Sequence, residues 1–171
     1  MTENNTTHTL TTNGGERELV MERLFDAPRK LVFQVFTEPE HVARWWPPFG
    51  FTIPICTIDF RPDGVWHYCL RSPEGNVHWV KSIYREIVEP ERIVYTTTFA
   101  DEDANPVEGL PEQLATVTFA EHEGKTTLTT RIQFTSEADL QAALNMQMIQ
   151  GLTHTWNNLG NHLEAMKPGI A

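Results

Sequence analysis

Apolar and polar residues follow three successive rhythms along this chain. From Arg17 to Phe25, Leu19, Val20, Met21, Leu24 and Phe25 stand between charges, which predicts a first strand. Leu31, Val32, Val35 and Phe36 then recur at helical spacing, predicting a short helix over 28–36. Asp26 is its candidate N-cap, and Pro28 sits in the first turn, where a missing N–H costs nothing. A second short helix opens at Glu38-Pro39-Glu40 and runs to Trp45-Trp46, because Pro47 and Pro48 cannot continue a helical ladder.

From Phe51 to Phe134 the pattern is one of strands punctuated by turns, as in an antiparallel sheet. In Arg61-Pro62-Asp63-Gly64, Pro62 fixes φ and Gly64 is expected to take positive φ as a bulge. That register sets Phe60 opposite Trp66, Ile58 opposite Tyr68 and Cys56 opposite Leu70, with the two cysteines on opposite faces. A second turn at Pro73-Glu74-Gly75-Asn76 sets Leu70 against Trp79, Tyr68 against Lys81 and Trp66 against Ile83. Further strands are predicted over 92–99, 113–121 and 126–134, the last two joined at Glu123-Gly124-Lys125. Asp101 to Pro111 is acidic, contains Pro and Gly, and reads as a mobile loop.

The third rhythm is one long helix from Ser136 to Met166. Ser136 caps it and Asp139 gives a capping-box-like start. Leu144, Met148, Leu152, Thr155, Trp156, Leu159, Leu163 and Met166 form its apolar stripe, and Pro168-Gly169 ends it. Gly151, inside the helix, either permits close approach to the sheet or leaves room for a ligand. Strand, two short helices, six strands and a long helix define an α+β domain. A curved antiparallel sheet of about seven strands wraps the last helix, and the two short helices close one end.

Composition narrows the class. The 171 residues are 40% hydrophobic and 21% charged, the profile of a globular chain. Residues 1–15 are Thr- and Asn-rich and read as a disordered arm; 16–167 read as a single domain. Without a basic start or apolar core the arm is not a signal peptide, and no apolar run suits a membrane, so the expected home is cytoplasmic. A formal net charge of −10 disfavours nucleic acid and anionic membrane surfaces as partners. Cys56 and Cys69 are outside any metal-ligand spacing, and no metal or cofactor is expected.

Several segments in this order resemble a known superfamily. Phe25-Asp26-Ala27-Pro28 followed by Val32-Phe33 resembles the opening of the SRPBCC, or START-like, superfamily. Pro39-Glu40-His41 leading into Trp45-Trp46, then 59–66, 84–94 and Gly124-Lys125-Thr126-Thr127-Leu128, resemble the branch named after the activator of heat-shock protein 90 ATPase. The likeness is to its C-terminal domain and covers about Arg17 to Met166. It implies a helix-grip (START-like) fold around a hydrophobic cavity. The family's usual turn has Gly-Gly after the proline, where Asp63 replaces the first glycine. The superfamily includes lipid carriers, polyketide cyclases and drug-sequestering proteins. The eponymous cochaperone engages its chaperone through a separate N-terminal domain, whereas about 15 polar residues precede the first strand here.

Candidate site residues follow from the aromatic positions. Trp45, Trp46 and Phe49 stand at a helix end as a lid or a plug. Phe60, Trp66, Tyr68, Trp79, Tyr95, Phe99 and Phe119 are expected to project toward Met148, Leu152 and Trp156, lining a pocket or filling a core. Arg23 is either a buried cation for an acidic ligand or, as preferred, a snorkelling side chain. His67 and His78 read either as acid–base groups with Asp59, on the same face of the neighbouring strand, or, as preferred, as an outward-facing polar pair. His154 and His162, roughly 80° apart on the helix and two turns separated, are too distant to share a metal. No catalytic motif or residue is evident. The favoured reading is binding of a small hydrophobic or aromatic molecule. The alternatives are chaperone interaction and a cyclase- or hydrolase-type enzyme, with monomer or homodimer left open.

Overall fold

The computed structural model describes residues 7–11, 17–107 and 112–166. The strands are β1 (Thr7–Thr11), β2 (Glu18–Phe25), β3 (Cys56–Ile58), β4 (Val65–Arg71), β5 (Val77–Val88), β6 (Arg92–Ala100), β7 (Gln113–His122) and β8 (Lys125–Phe134). The helices are α1 (Arg29–Thr37), α2 (Pro39–Trp45), α3 (Glu137–Asn145) and α4 (Met148–Met166). The strands form one sheet in the order β1-β2-β8-β7-β6-β5-β4-β3, every neighbour antiparallel. One face carries Leu19, Met21, Val80, Tyr84, Tyr95, Val117, Leu128 and Ile132, all buried, with Trp156, Leu159 and Leu163 of α4 in the same core. This is the helix-grip arrangement anticipated from the order of elements.

The expected disordered arm is corrected for Thr7–Thr11. These residues pair along β2, from Thr7 opposite Glu22 to Thr11 opposite Glu18. A Thr-rich run suits an extended backbone, and β2 offers it a free edge. The acidic stretch after β6 is likewise held in place as far as Val107. The Asp101 carboxylate accepts from the backbone N–H groups of Asp103 and Asn105, and Pro106 bridges to Ala100. The Pro168-Gly169 stop lies outside the described residues.

The turns decide which side chains face inward. Around 59–64 the positive φ belongs to Asp63 (66°), not to Gly64. Arg61 to Gly64 is a turn closed by the Gly64 N–H on the Arg61 carbonyl at 2.8 Å, with positive φ at its third residue. Gly64 is required for another reason: a Cβ there would lie 1.9 Å from the Asp59 carbonyl oxygen. Cys56 consequently faces Tyr68 and Ile58 faces Trp66, two residues from the expected register. A shift of two preserves the faces, so the cysteines do lie on opposite sides.

The next turn has the larger effect. Gly75 takes φ 95° and donates to Ser72 O, while Ser72 N bonds to Asn76 O, leaving a three-residue loop. Tyr68 thus faces Val80, Trp66 faces Ser82 and Cys69 faces Trp79. This shift of one residue turns every β5 side chain to the face opposite the expected one.

The C-terminal helix is two helices. Ser136 Oγ accepts the Asp139 N–H at 3.0 Å as anticipated, and the Asp139 carboxylate also bonds the Thr135 hydroxyl. At Gln147 the backbone enters the left-handed region (φ 64°), which separates α3 from the 19-residue α4. Pro28, not Asp26, occupies the N-cap of α1 and makes no capping side-chain bond. The Arg29 N–H instead donates to a Glu121 carboxylate oxygen, 2.9 Å away on β7.

Candidate functional site

Between the concave sheet face and the helices lies a cavity of about 270 Å³. Tyr68 and Leu70 of β4, Val80 and Ser82 of β5, and Tyr95, Thr97 and Phe99 of β6 contribute to its floor. Gln113 and Ala115 of β7 and Thr130 and Ile132 of β8 complete that floor. The roof comprises Phe36, Trp46, Ala143, Met146, Met148, Leu152 and Trp156. Among the described residues, no acid, imidazole, lysine or arginine lines it.

Polar bonds from α4 seat the aromatic part of the roof. After α2, prolines remove N–H donors and the last carbonyls need partners. Thr155 Oγ1 donates to Trp46 O at 2.9 Å, and Asn158 Nδ2 donates to Pro47 O at 3.2 Å. One turn away, the Phe49 N–H donates to His154 Nδ1 at 2.6 Å. Held in this way, Trp46 points its indole N–H at the Tyr68 hydroxyl, 3.0 Å distant. Its ring packs edge-on against Trp66 at a centroid separation of 4.9 Å.

Of the residues anticipated as cavity lining, Trp46, Tyr68, Tyr95, Phe99, Met148, Leu152 and Trp156 are there. The others occupy different positions. Trp45 is fully buried beneath α1, its indole N–H donating to Val35 O at 2.9 Å. Phe49 is 47% exposed and covers Gly151 from outside. Gly151 therefore neither approaches the sheet nor opens space for a ligand. Phe60 packs on Phe33 and Tyr84, and Phe119 on Phe33 and Phe36, in the core beside the cavity. Trp66 is buried behind Trp46, and its indole N–H makes no hydrogen bond of good geometry to another described residue, though it lies close enough to the Cys56 thiol to influence it. Trp79 lies on the outer face, stacked on His67 at 4.6 Å, because the Gly75 loop reversed β5.

Sequence reasoning missed the polar floor. Ser82, Thr97 and Gln113 stand in register on three neighbouring strands, Ser82 opposite Thr97 and Thr97 opposite Gln113. Once Gly75 is recognised as a loop residue, Ser82 falls opposite Trp66 on the inner face, so the signal was present in the turn.

Burial sets the ionisation of the cavity hydroxyls. It pushes the Tyr68 and Tyr95 phenols well above their ordinary range, so both remain neutral donors at physiological pH. The Cys56 thiol is pushed up to about 11, chiefly by burial, against a smaller opposing pull from Trp66.

The remaining candidates belong to other places. Arg23 is 5% exposed and does not snorkel: Nη1 donates to Asn157 Oδ1 at 2.6 Å, and the guanidinium lies 5.1 Å from the Phe25 ring centroid. Gly160 makes room for it, since a Cβ there would stand 3.3 Å from Arg23 Nη2. His67 Nε2 lies 2.9 Å from Asp101 O on the outer face, whereas His78 is turned to the other side and faces Leu70. His154 and His162 do not meet; His162 Nε2 instead lies 2.9 Å from His41 Nδ1 on α2. Among the described residues no group of three or more His, Cys, Asp or Glu side chains could hold a metal. No helix among them is long and apolar enough to cross a membrane.

A curved antiparallel sheet closed over a cavity by a C-terminal helix defines the class: a single helix-grip domain of the SRPBCC type. Within that class, the chain belongs to the family described as activator of Hsp90 ATPase homolog 1-like protein, whose model matches residues 26–164. Its fold is similar to that of protein Ms6760 from Mycobacterium smegmatis, with a TM-score of 0.81, 25% identity, and coverage of 96% of this chain and 98% of that one. A protein from Arthrobacter aurescens matches with a TM-score of 0.84, 24% identity, and coverage of 96% and 94%. A third, from Staphylococcus epidermidis, gives a TM-score of 0.78 and 26% identity over 96% and 98% of the two chains. No curated protein is significantly similar in sequence.

Proposed function

We propose that the protein holds a small, uncharged hydrophobic or aromatic molecule in the cavity between the sheet and α4, without a covalent step. The observation that carries this reading is an internal space of about 270 Å³ with a largely apolar lining and no charged side chain among the described residues of its wall. A dry apolar cavity of about 150 Å³ accommodates benzene, so this one suits a molecule of one or two rings. A charged ligand would lose its hydration there and find no counter-charge. Acid–base catalysis needs a group that titrates near the working pH, and the phenols in this wall are pushed far above it. Binding of hydrophobic ligands and interaction with chaperones are both roles associated with this fold.

Native mass spectrometry of gently isolated protein tests the reading, paired with thermal unfolding in the presence of naphthalene-sized ligands. A mass lost on denaturation, or stabilisation approaching about 2.7 kcal/mol at a hundredfold excess over Kd, is expected. Ala115→Leu, which adds volume to the floor, should abolish the stabilisation while the protein still unfolds cooperatively. Absence of both a passenger and any ligand response would refute cavity binding, and association with a chaperone would then be examined by pull-down.

A further inference from the structure

The polar row across the cavity floor has more hydrogen-bonding capacity than the protein uses. Ser82 Oγ and Thr97 Oγ1 lie 2.9 Å apart. Two hydroxyls bring two protons, and one bond between them uses one, so a donor remains for the cavity. Gln113, next in register, is 9% exposed and lines the cavity. Its side-chain amide has no hydrogen bond to another described residue. The Tyr95 hydroxyl, two residues before Thr97 on β6, likewise has no hydrogen bond to another described residue and is held neutral by burial. Amides and hydroxyls taken out of water cost free energy unless they are satisfied. Here they are concentrated on one side of an otherwise aromatic and aliphatic chamber.

We propose that Gln113 is the specificity-determining residue of the cavity and that it reads a cyclic amide edge on a planar, neutral, two-ring ligand. This rests on the cavity-binding reading above and adds the ligand's polar edge to it. A primary carboxamide presents a carbonyl acceptor beside an N–H donor. Its complement is a group with an N–H donor beside a carbonyl acceptor, as in a lactam, which pairs with it through two parallel hydrogen bonds. The free proton of the Ser82–Thr97 pair lies in the same row and can donate to the second lone pair of the ligand carbonyl. Trp46, Phe99 and Leu152 then cover the ring faces and the apolar edge. Lacking any charge, the wall accepts a lactam and rejects its ionised carboxylate counterparts.

Three probes of nearly equal size separate this proposal from cavity binding in general: naphthalene, 2-quinolone and N-methyl-2-quinolone. Affinities are measured by quenching of tryptophan fluorescence and by calorimetry on the full chain. The wild type should bind 2-quinolone at least about tenfold more tightly than its N-methyl derivative, because methylation removes the donor and leaves Gln113 unpaired. In Gln113→Leu that difference should vanish while naphthalene binding is kept or improved. Gln113→Met, closer in shape, serves if the leucine variant does not fold. Equal binding of the two quinolones by the wild type overturns the lactam assignment and leaves cavity binding standing, provided naphthalene binds. Failure of all three probes to bind overturns both.

Discussion

The indole N–H of Trp46 and the hydroxyl of Tyr68 meet at 3.0 Å, joining the segment after α2 to the fourth strand at the edge of the cavity. Each residue also lines the cavity, so this bond fixes the position of an aromatic wall. Tyr68→Phe removes the acceptor and leaves the indole unpaired. We expect a loss of about 1–2 kcal/mol in urea unfolding, together with a change in tryptophan emission. An unaltered stability and spectrum would mean that solvent already satisfies Trp46.

Arg23 is a buried cation whose one side-chain hydrogen-bonding partner among the described residues is a neutral amide, Asn157, and whose Nε is unsatisfied. Burial pulls its ionisation below the ordinary arginine value. Buried charges of this kind are often less stable than well-packed apolar residues. Arg23→Met should therefore leave stability unchanged or raise it by about 1–4 kcal/mol, read from denaturant midpoints. Strong destabilisation would show that the guanidinium has a counter-charge in solution.

His162 should make stability depend on pH. Its pKa is lowered from the ordinary 6.5, first by burial, then by His41 and by Arg44. The native state thus binds fewer protons than the unfolded chain as pH falls below about 6.5, and it is destabilised through that window. Unfolding curves between pH 8 and pH 5 should show stability falling with acidification, and His162→Gln should flatten the slope. A slope unaffected by the substitution would assign the pH dependence to another group.

Gly64→Ala should be severely destabilising. The added methyl carbon would stand 1.9 Å from Asp59 O and 2.8 Å from Arg61 O, both backbone atoms that cannot step aside. A cost of at least about 2 kcal/mol is expected in thermal or chemical unfolding. By contrast, Gly124→Ala meets no atom within 4 Å and bears only the strain of φ 76°. The two variants together separate steric contact from backbone conformation.

The legibility of the fold and of the site differed for a physical reason. Hydrophobic periodicity reports which elements exist, and it marked β2, α1, α2, β6, β7 and β8 to within a few residues. Cavity composition depends on strand register, which a single turn residue controls. Assigning the bulge to Gly64 and none to Gly75 kept β4 on its proper face but reversed β5, bringing in Trp79 and leaving out Ser82. Pairing Tyr68 with Lys81 was the detectable warning, because it sent an ammonium toward the apolar face. Gln113 was hidden differently: its polar side chain lies at the start of a strand whose other inward positions, Ala115, Val117 and Phe119, read as ordinary core. The helix break at Gln147 has no glycine or proline to announce it.

That break gives the two halves of the chamber unequal rigidity. The floor is locked by backbone ladders on both sides of every strand that contributes to it, so its polar atoms keep fixed spacings. The ceiling is a jointed pair of helices meeting at an exposed Met146, with Met148 just beyond the joint. Methionine side chains adapt their shape at little cost. If the cavity holds a guest as proposed, substitutions around the joint would retune the bulk and outline it accepts without disturbing the polar atoms of the floor. On the proposed reading, recognition and accommodation would reside in separate parts of the molecule.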